Sequence, residues 1–263
     1  MMRRIWALAL NTFRDAIRNR VLYGVLAVVF VVNLFGIVLG EMSLHQEARV
    51  ARDLGIGGVS LFGSITAIFL GVSLLYSEIK KRTIHTIVTK PLERYEFVLG
   101  KYLGMVVTLS CLLAMFSLVM LLLLKTQDVA VTTVLLKALI LAFYEVLVVA
   151  AIAILFSSFS SPFLSGIFTF GLFYLGRLTP DLRAFLETTD SSIVKGACEV
   201  ALYLIPDLHL FSVSGGSVDG NHVTVHGDFV SWGYMGMASG YAALYIGILL
   251  GVSILIFSRR DFV

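Results

Sequence analysis

The chain has 263 residues, 58% of them hydrophobic and only 14% charged, with a formal net charge of +3 and a mean hydropathy of +0.93. Soluble domains carry about a quarter charged residues and rarely exceed half apolar, so this composition excludes a soluble globular enzyme and points to lipid as the solvent. No polar stretch is long enough for a soluble domain, nothing suggests a nucleic-acid partner, and two cysteines, Cys111 in an apolar run and Cys198 in a polar loop, make neither a disulfide framework nor a metal site.

Residues 2–19 read as an amphipathic lead-in. Ile5, Leu8, Thr12, Phe13, Ala16 and Ile17 share one helical face, and Arg4, Asn11, Asp15 and Arg18 share the other. Such a basic amphipathic helix is expected to lie in the inner membrane interface. Its charges interrupt the apolar stretch too early for a leader peptide, so no cleavage is expected.

Six apolar runs follow, each near the roughly 20 residues that a span requires. They are Val21–Gly40, Ile56–Tyr76, Tyr102–Leu124, Val134–Phe156, Phe163–Leu178 and Tyr234–Phe257. The expectation is an all-α membrane protein of six transmembrane helices forming a single transmembrane domain over residues 1–263. The fifth run is the shortest, although Ser160, Ser161 and Pro162 before it make a good helix start.

Orientation follows from the basic residues. With the amino terminus inside, the inner segments hold Arg3, Arg4, Arg14, Arg18, Arg20, Lys80, Lys81, Arg82, Lys90, Arg94, Lys101, Arg259 and Arg260, against the acids Asp15, Glu78, Glu93, Glu96 and Asp261. The positive-inside bias predicts that both termini face the cytoplasm.

Between the second and third runs lies a cytoplasmic segment, residues 77–101. It has helix-forming character on both sides of Pro91, which ends one piece and can start the next at its first position. Charges alternate there with Ile84, Ile87, Val88 and Leu92, so a short helix would present an apolar surface. A loop that only sets orientation needs no such surface, which suggests a protein partner.

Within the fourth run, Glu145 sits at mid-membrane, where a charge costs about 2.5–3.5 kcal/mol on insertion scales. Three readings stand open: a proton or cation site, a polar point on a transport path, or a protonated acid bonded to a neighbour such as Asn33. Lys137, nearer the outer end, is expected to snorkel to the surface.

Residues 179–233 form the long extracytoplasmic segment. Asp181–Thr188 and Ser191–Leu204 read as short helices, and Asp219-Gly220 is a turn signal before the strand-like His222–His226. His222 and His226 with Asp219 and Asp228 have metal-ligand spacing, but loop histidines are usually only polar, and no metal site is expected. In the last run Gly236, Gly240, Gly247 and Gly251 line one face with Ala243, permitting close approach to another helix, in a second copy or in the same subunit.

The segment around Pro91 also carries a resemblance. Glu78, Arg82, Thr83, Pro91, Leu92, Arg94, Phe97, Gly100 and Lys101 follow, in order, the coupling-helix pattern of ABC-type exporter permeases. The lead-in Asn11-Thr12-Phe13-Arg14-Asp15 with Arg18, and the ending Phe257-Ser258-Arg259-Arg260-Asp261-Phe262, are similar to the two ends of the same permeases. The chain resembles most the subgroup that includes the permease for nitrous-oxide reductase copper-site maturation. The resemblance implies a bacterial inner-membrane permease working as a homodimer with separate ABC ATPase subunits. Ile84, Ile87, Lys90, Pro91, Leu92, Glu93 and Arg94 would then form the ATPase-coupling site. It also implies that ATP and Mg stay on the partner and that this chain carries no cofactor and performs no catalysis. The sequence agrees in one respect: it has no G-x-x-x-x-G-K-[ST], and Gly100-Lys101 is followed by Tyr102.

Two rivals remain at this stage. One is a secondary transporter or channel using Glu145 as a proton or ion site; the other is a membrane enzyme or assembly factor using the outer histidines.

Overall fold

A computed structural model describes residues 2–42, 47–80, 93–126, 133–189, 192–212, 216–218, 221–223 and 231–259. The elements in order are α1 (Met2–Ile17), α2 (Arg20–Met42), α3 (Glu47–Lys80), α4 (Arg94–Thr126), α5 (Thr133–Phe159), α6 (Pro162–Arg177), α7 (Thr179–Thr188) and α8 (Ser192–Leu204). A 3-10 turn (Leu208–Phe211), a two-stranded hairpin and α9 (Trp232–Arg259) follow.

The centre is α5, with α3, α4, α6 and α9 packed around it. It is apolar on every side, as a helix inside a bundle must be, and every residue from Val148 to Ala153 is fully buried. The approach of α3 depends on a stripe of small residues, Gly63, Ala67 and Gly71. A Cβ on Gly63 would lie 2.9 Å from both Leu113 and Val146, and one on Gly71 would collide with Ala153. Between lipid-solvated helices, such close backbone contact supplies the attraction that hydrophobicity cannot.

Among the described residues four helices are long and apolar enough to cross a membrane: Arg52–Ser73, Arg94–Lys125, Thr133–Phe159 and Trp232–Arg259. At the other two expected spans, α2 has 23 residues and α6 has 16. At 1.5 Å per residue α6 is about 24 Å long, short of the roughly 30 Å hydrocarbon core. Its start is as expected, with Pro162 in the first turn and Ser161 in extended backbone before it. Its end at Arg177 passes directly into α7, and Gly176 is pressed there against the Pro206 carbonyl, 2.6 Å from where a Cβ would stand.

The described parts of the segment 77–101 are helical, as expected on both sides of Pro91. α3 runs to Lys80 and α4 starts at Arg94, so both helices extend past the expected runs, which end at Tyr76 and begin at Tyr102. Ile84, Ile87, Lys90, Pro91 and Leu92 lie outside the described residues. Glu93 is the N-cap residue of α4, its carbonyl accepting from Phe97 N–H at 3.3 Å while its own N–H donates back to the Glu96 carboxylate at 3.3 Å.

The lead-in turns most of its expected face inward, with Leu8 and Phe13 half-buried, Ala9 added and Ile17 left out. Ile5, Ala9, Thr12 and Ala16 are buried against α4, while Met2, Trp6, Leu10 and Ile17 are exposed, Trp6 to 56%. Side-chain size decides this. A Cβ on Gly104 would stand 2.5 Å from Thr12 Cβ and 2.7 Å from the Ala9 carbonyl, and one on Gly100 would stand 2.7 Å from Leu8 Cβ. The contact therefore selects small residues rather than the most apolar ones. The apolar residues left over form a second stripe, bordered by exposed Arg3 and Arg14.

Between α8 and α9 the strand starts earlier than expected. β1 (Gly216–Val218) pairs antiparallel with β2 (Asn221–Val223), Val218 facing Asn221 on either side of Asp219 and Gly220. His226 and Asp228 lie outside the described residues. Lys137 meets the ring of Trp232, its Nζ 4.7 Å from the centroid.

Candidate functional site

Two arrangements concentrate the polar chemistry: a junction of helix ends at the start of α4, and an ion pair buried among α3, α5 and α6.

At the junction, Phe97 in the first turn of α4 stacks on Phe257 near the end of α9, with centroids 5.6 Å apart and planes within 13°. Lys101, reckoned from sequence as a loop cation, is instead 2% exposed, its Nζ 5.7 Å from the centroid of Phe97. Arg94 reaches to the C-terminus of α9 and donates through Nη1 to the Phe257 carbonyl at 3.4 Å and to the Ser258 carbonyl. The last carbonyls of a helix lack donors in a following turn, and a guanidinium there both bonds them and opposes the negative end of the helix dipole. Arg94 was expected to face an ATPase; the contacts described for it are within the chain. One turn further along α4, Gly100 and Gly104 hold α1. Three stretches far apart in sequence, the start of α4, the lead-in and the last turn of α9, thus meet at one place.

The second arrangement surrounds Glu145, which is fully buried on α5. Arg177 Nε donates to Glu145 Oε1 at 2.8 Å and Arg177 Nη2 donates to Oε2 at 3.2 Å. Nη2 also donates to Ser60 Oγ at 2.6 Å, and the Ser60 hydroxyl in turn donates to Oε2. The guanidinium lies over the Phe173 ring, 5.2 Å from its centroid. Arginine keeps its proton in proteins, so the side-on, two-bond geometry makes this a salt bridge. Asn33, suggested from sequence as a neighbour, has a side chain outside the described part.

Helix lengths explain why the pair meets. Glu145 lies 14 residues before the end of α5 at Phe159, and Arg177 lies 15 residues after the start of α6 at Pro162, so both rise about 21–23 Å from the same turn. α6 stops once its cation is level with the acid. Arg177 and Ser60 were both missed from sequence, although both lie inside expected runs. The available signal was a lone arginine closing an apolar run on the side that the positive-inside rule leaves poor in basic residues. The arrangement pins three helices together.

The glycines of α9 tell against packing within the subunit. Its buried face is Met235, Ala238, Ala242, Leu249, Leu250, Ser253 and Phe257, whereas Gly236, Gly240, Gly247 and Gly251 are all on the exposed side. A Cβ at any of the four would meet no described atom within 4 Å. Among the described residues no group of three or more His, Cys, Asp or Glu is placed to hold a metal ion.

A comparison with curated proteins gives no match. The model of the ABC-2 family transporter protein matches residues 6–262, a range that takes in α1 from Trp6 onward and every later described helix to the last turn of α9. The chain is a multi-pass membrane protein that belongs to the ABC-2 family of transporter proteins.

Proposed function

We propose that this chain is the permease of an ATP-driven exporter in the bacterial inner membrane, with six spans and both termini cytoplasmic, working as a homodimer on two separate ATPase subunits. The family implies an ABC ATPase as partner. What supports the finer reading is the junction. The residues flanking 81–92 are joined through Arg94 and Phe97 to the end of α9, and through Gly100 and Gly104 to α1. A push on that segment from an ATPase would reach, in one step, the helix with the open glycine stripe and the helix with the interfacial apolar stripe. The copper-site subgroup stays a resemblance.

The test is co-purification of the partner ATPase followed by ATPase assays in lipid. Ile84, Ile87 and Leu92 are the apolar anchors in this reading. Burying one contributes about 1.5–3 kcal/mol, so Ile87→Asp is expected to weaken association more than about tenfold. Arg94→Ala is expected to keep the complex and uncouple hydrolysis from transport, because it frees the end of α9. Transport by the purified permease without any ATPase would overturn the proposal. The rival proton-site reading needs an available acid at Glu145, and both of its oxygens are occupied by Arg177 and Ser60.

The dimer contact is assigned to the open stripe of α9. Gly240→Leu and Gly247→Leu introduce side chains that meet nothing in their own subunit, so melting of the subunit should hardly change while the dimer separates. Light scattering in detergent reads the mass, and an intact dimer in both variants would remove α9 from the interface.

A further inference from the structure

An apolar cleft separates α3 from α6, lined by Ile65, Ile68, Phe69, Val72, Gly166 and Phe170. It holds about 350 Å³, at the lower end of the roughly 300–1,000 Å³ usual for small-molecule sites. Phe69 and Phe170 stand at its lips, 37% and 50% exposed, so it opens sideways towards lipid.

The same two helices carry Ser60 and Arg177 above it. Phe170, Phe173 and Arg177 follow one another up one side of α6, and seven residues place the guanidinium about 10 Å beyond Phe170. Nε and Nη2 of that guanidinium are engaged with Glu145 and Ser60. Nη1, with two N–H donors, has no hydrogen-bond partner among the described residues, and 29% of the side chain is exposed. The result is an apolar slot with a fixed cation at its outer end.

We propose that this cleft holds one phospholipid of the outer leaflet, with an acyl chain between α3 and α6 and its phosphodiester on Nη1 of Arg177. Charge complementarity favours this occupant. A guanidinium is suited to phosphate, whereas a helix from a second copy has its backbone groups satisfied and would leave Nη1 unpaired. The short α6 puts Arg177 below the headgroup level of a full-thickness bilayer, so the lipid sinks or the bilayer thins there, a modest cost for a short element. The choice of leaflet rests on the orientation proposed above; the contact itself does not, and its measurement needs no ATPase.

The test is native mass spectrometry of the full chain in detergent, with phosphatidylglycerol and a diglucosyl diacylglycerol of matching chains, which lacks phosphate. Wild type is expected to retain phosphatidylglycerol about tenfold better, as one hydrogen bond to a charged group supplies. Gly166→Phe fills the cleft from a position where a Cβ meets nothing within 4 Å, and is expected to lower retention of both lipids. The double variant Glu145→Leu/Arg177→Met removes the cation without leaving a lone charge, and is expected to lose the preference while still binding the glycolipid. Equal retention of the two lipids by wild type would overturn the proposal, as would phosphatidylglycerol binding unchanged in Gly166→Phe.

Discussion

Arg177→Leu is expected to destabilise the protein by about 3–5 kcal/mol, enough to lose most folded material on extraction. The side chain that remains, Glu145, is fully buried and must keep an unpaired charge or take up a proton, and neither state recovers the two hydrogen bonds from the guanidinium. Glu145→Leu should cost clearly less, because the guanidinium left behind is partly exposed and can turn towards the interface. The double variant Glu145→Leu/Arg177→Leu should return to within about 1 kcal/mol of wild type, as buried pairs replaced by apolar groups often do. Melting of all four forms in one detergent closes the cycle. Additive effects would show that the pair is not made in the folded protein.

Gly104→Val is expected to lift α1 from α4. The new Cβ would lie 2.7 Å from a backbone carbonyl, that of Ala9, so no rotamer change relieves the clash and one helix must move. Overpacking of this kind costs about 1–3 kcal/mol, here concentrated on a helix of 16 residues. Amide exchange over residues 2–17 should therefore speed up strongly while that of α5 stays slow. Gly240→Val is the matched control, the same change at a glycine with open space in its own subunit. Equal protection of α1 in wild type and Gly104→Val would mean that this contact does not hold the lead-in. If the junction transmits motion, Gly104→Val should also uncouple ATP hydrolysis from transport without releasing the ATPase.

The chain itself announced its solvent, and with it most of its helices. A spanning segment satisfies all its backbone groups internally, so length and apolarity are local properties legible without any partner. That is why helices appear at all six expected runs, and why the resemblance carried by Arg94, Phe97 and Gly100 led to the right family. Size-dependent contacts were less legible. Three small-residue stripes are written in similar letters, yet Gly63–Ala67–Gly71 and Gly100–Gly104 are closed within the subunit and the α9 stripe is open.

Tertiary structure alone decided the partners. Glu145 and Arg177 are 32 residues apart and Arg94 and Ser258 are 164 apart, and each meeting depends on the rotation and height of one helix relative to another. Apolar runs fix neither quantity. Where lipid and protein interior are equally apolar, hydropathy says that a residue is in the membrane but not what it faces. Only close packing of small side chains and pairing of the few charges set that.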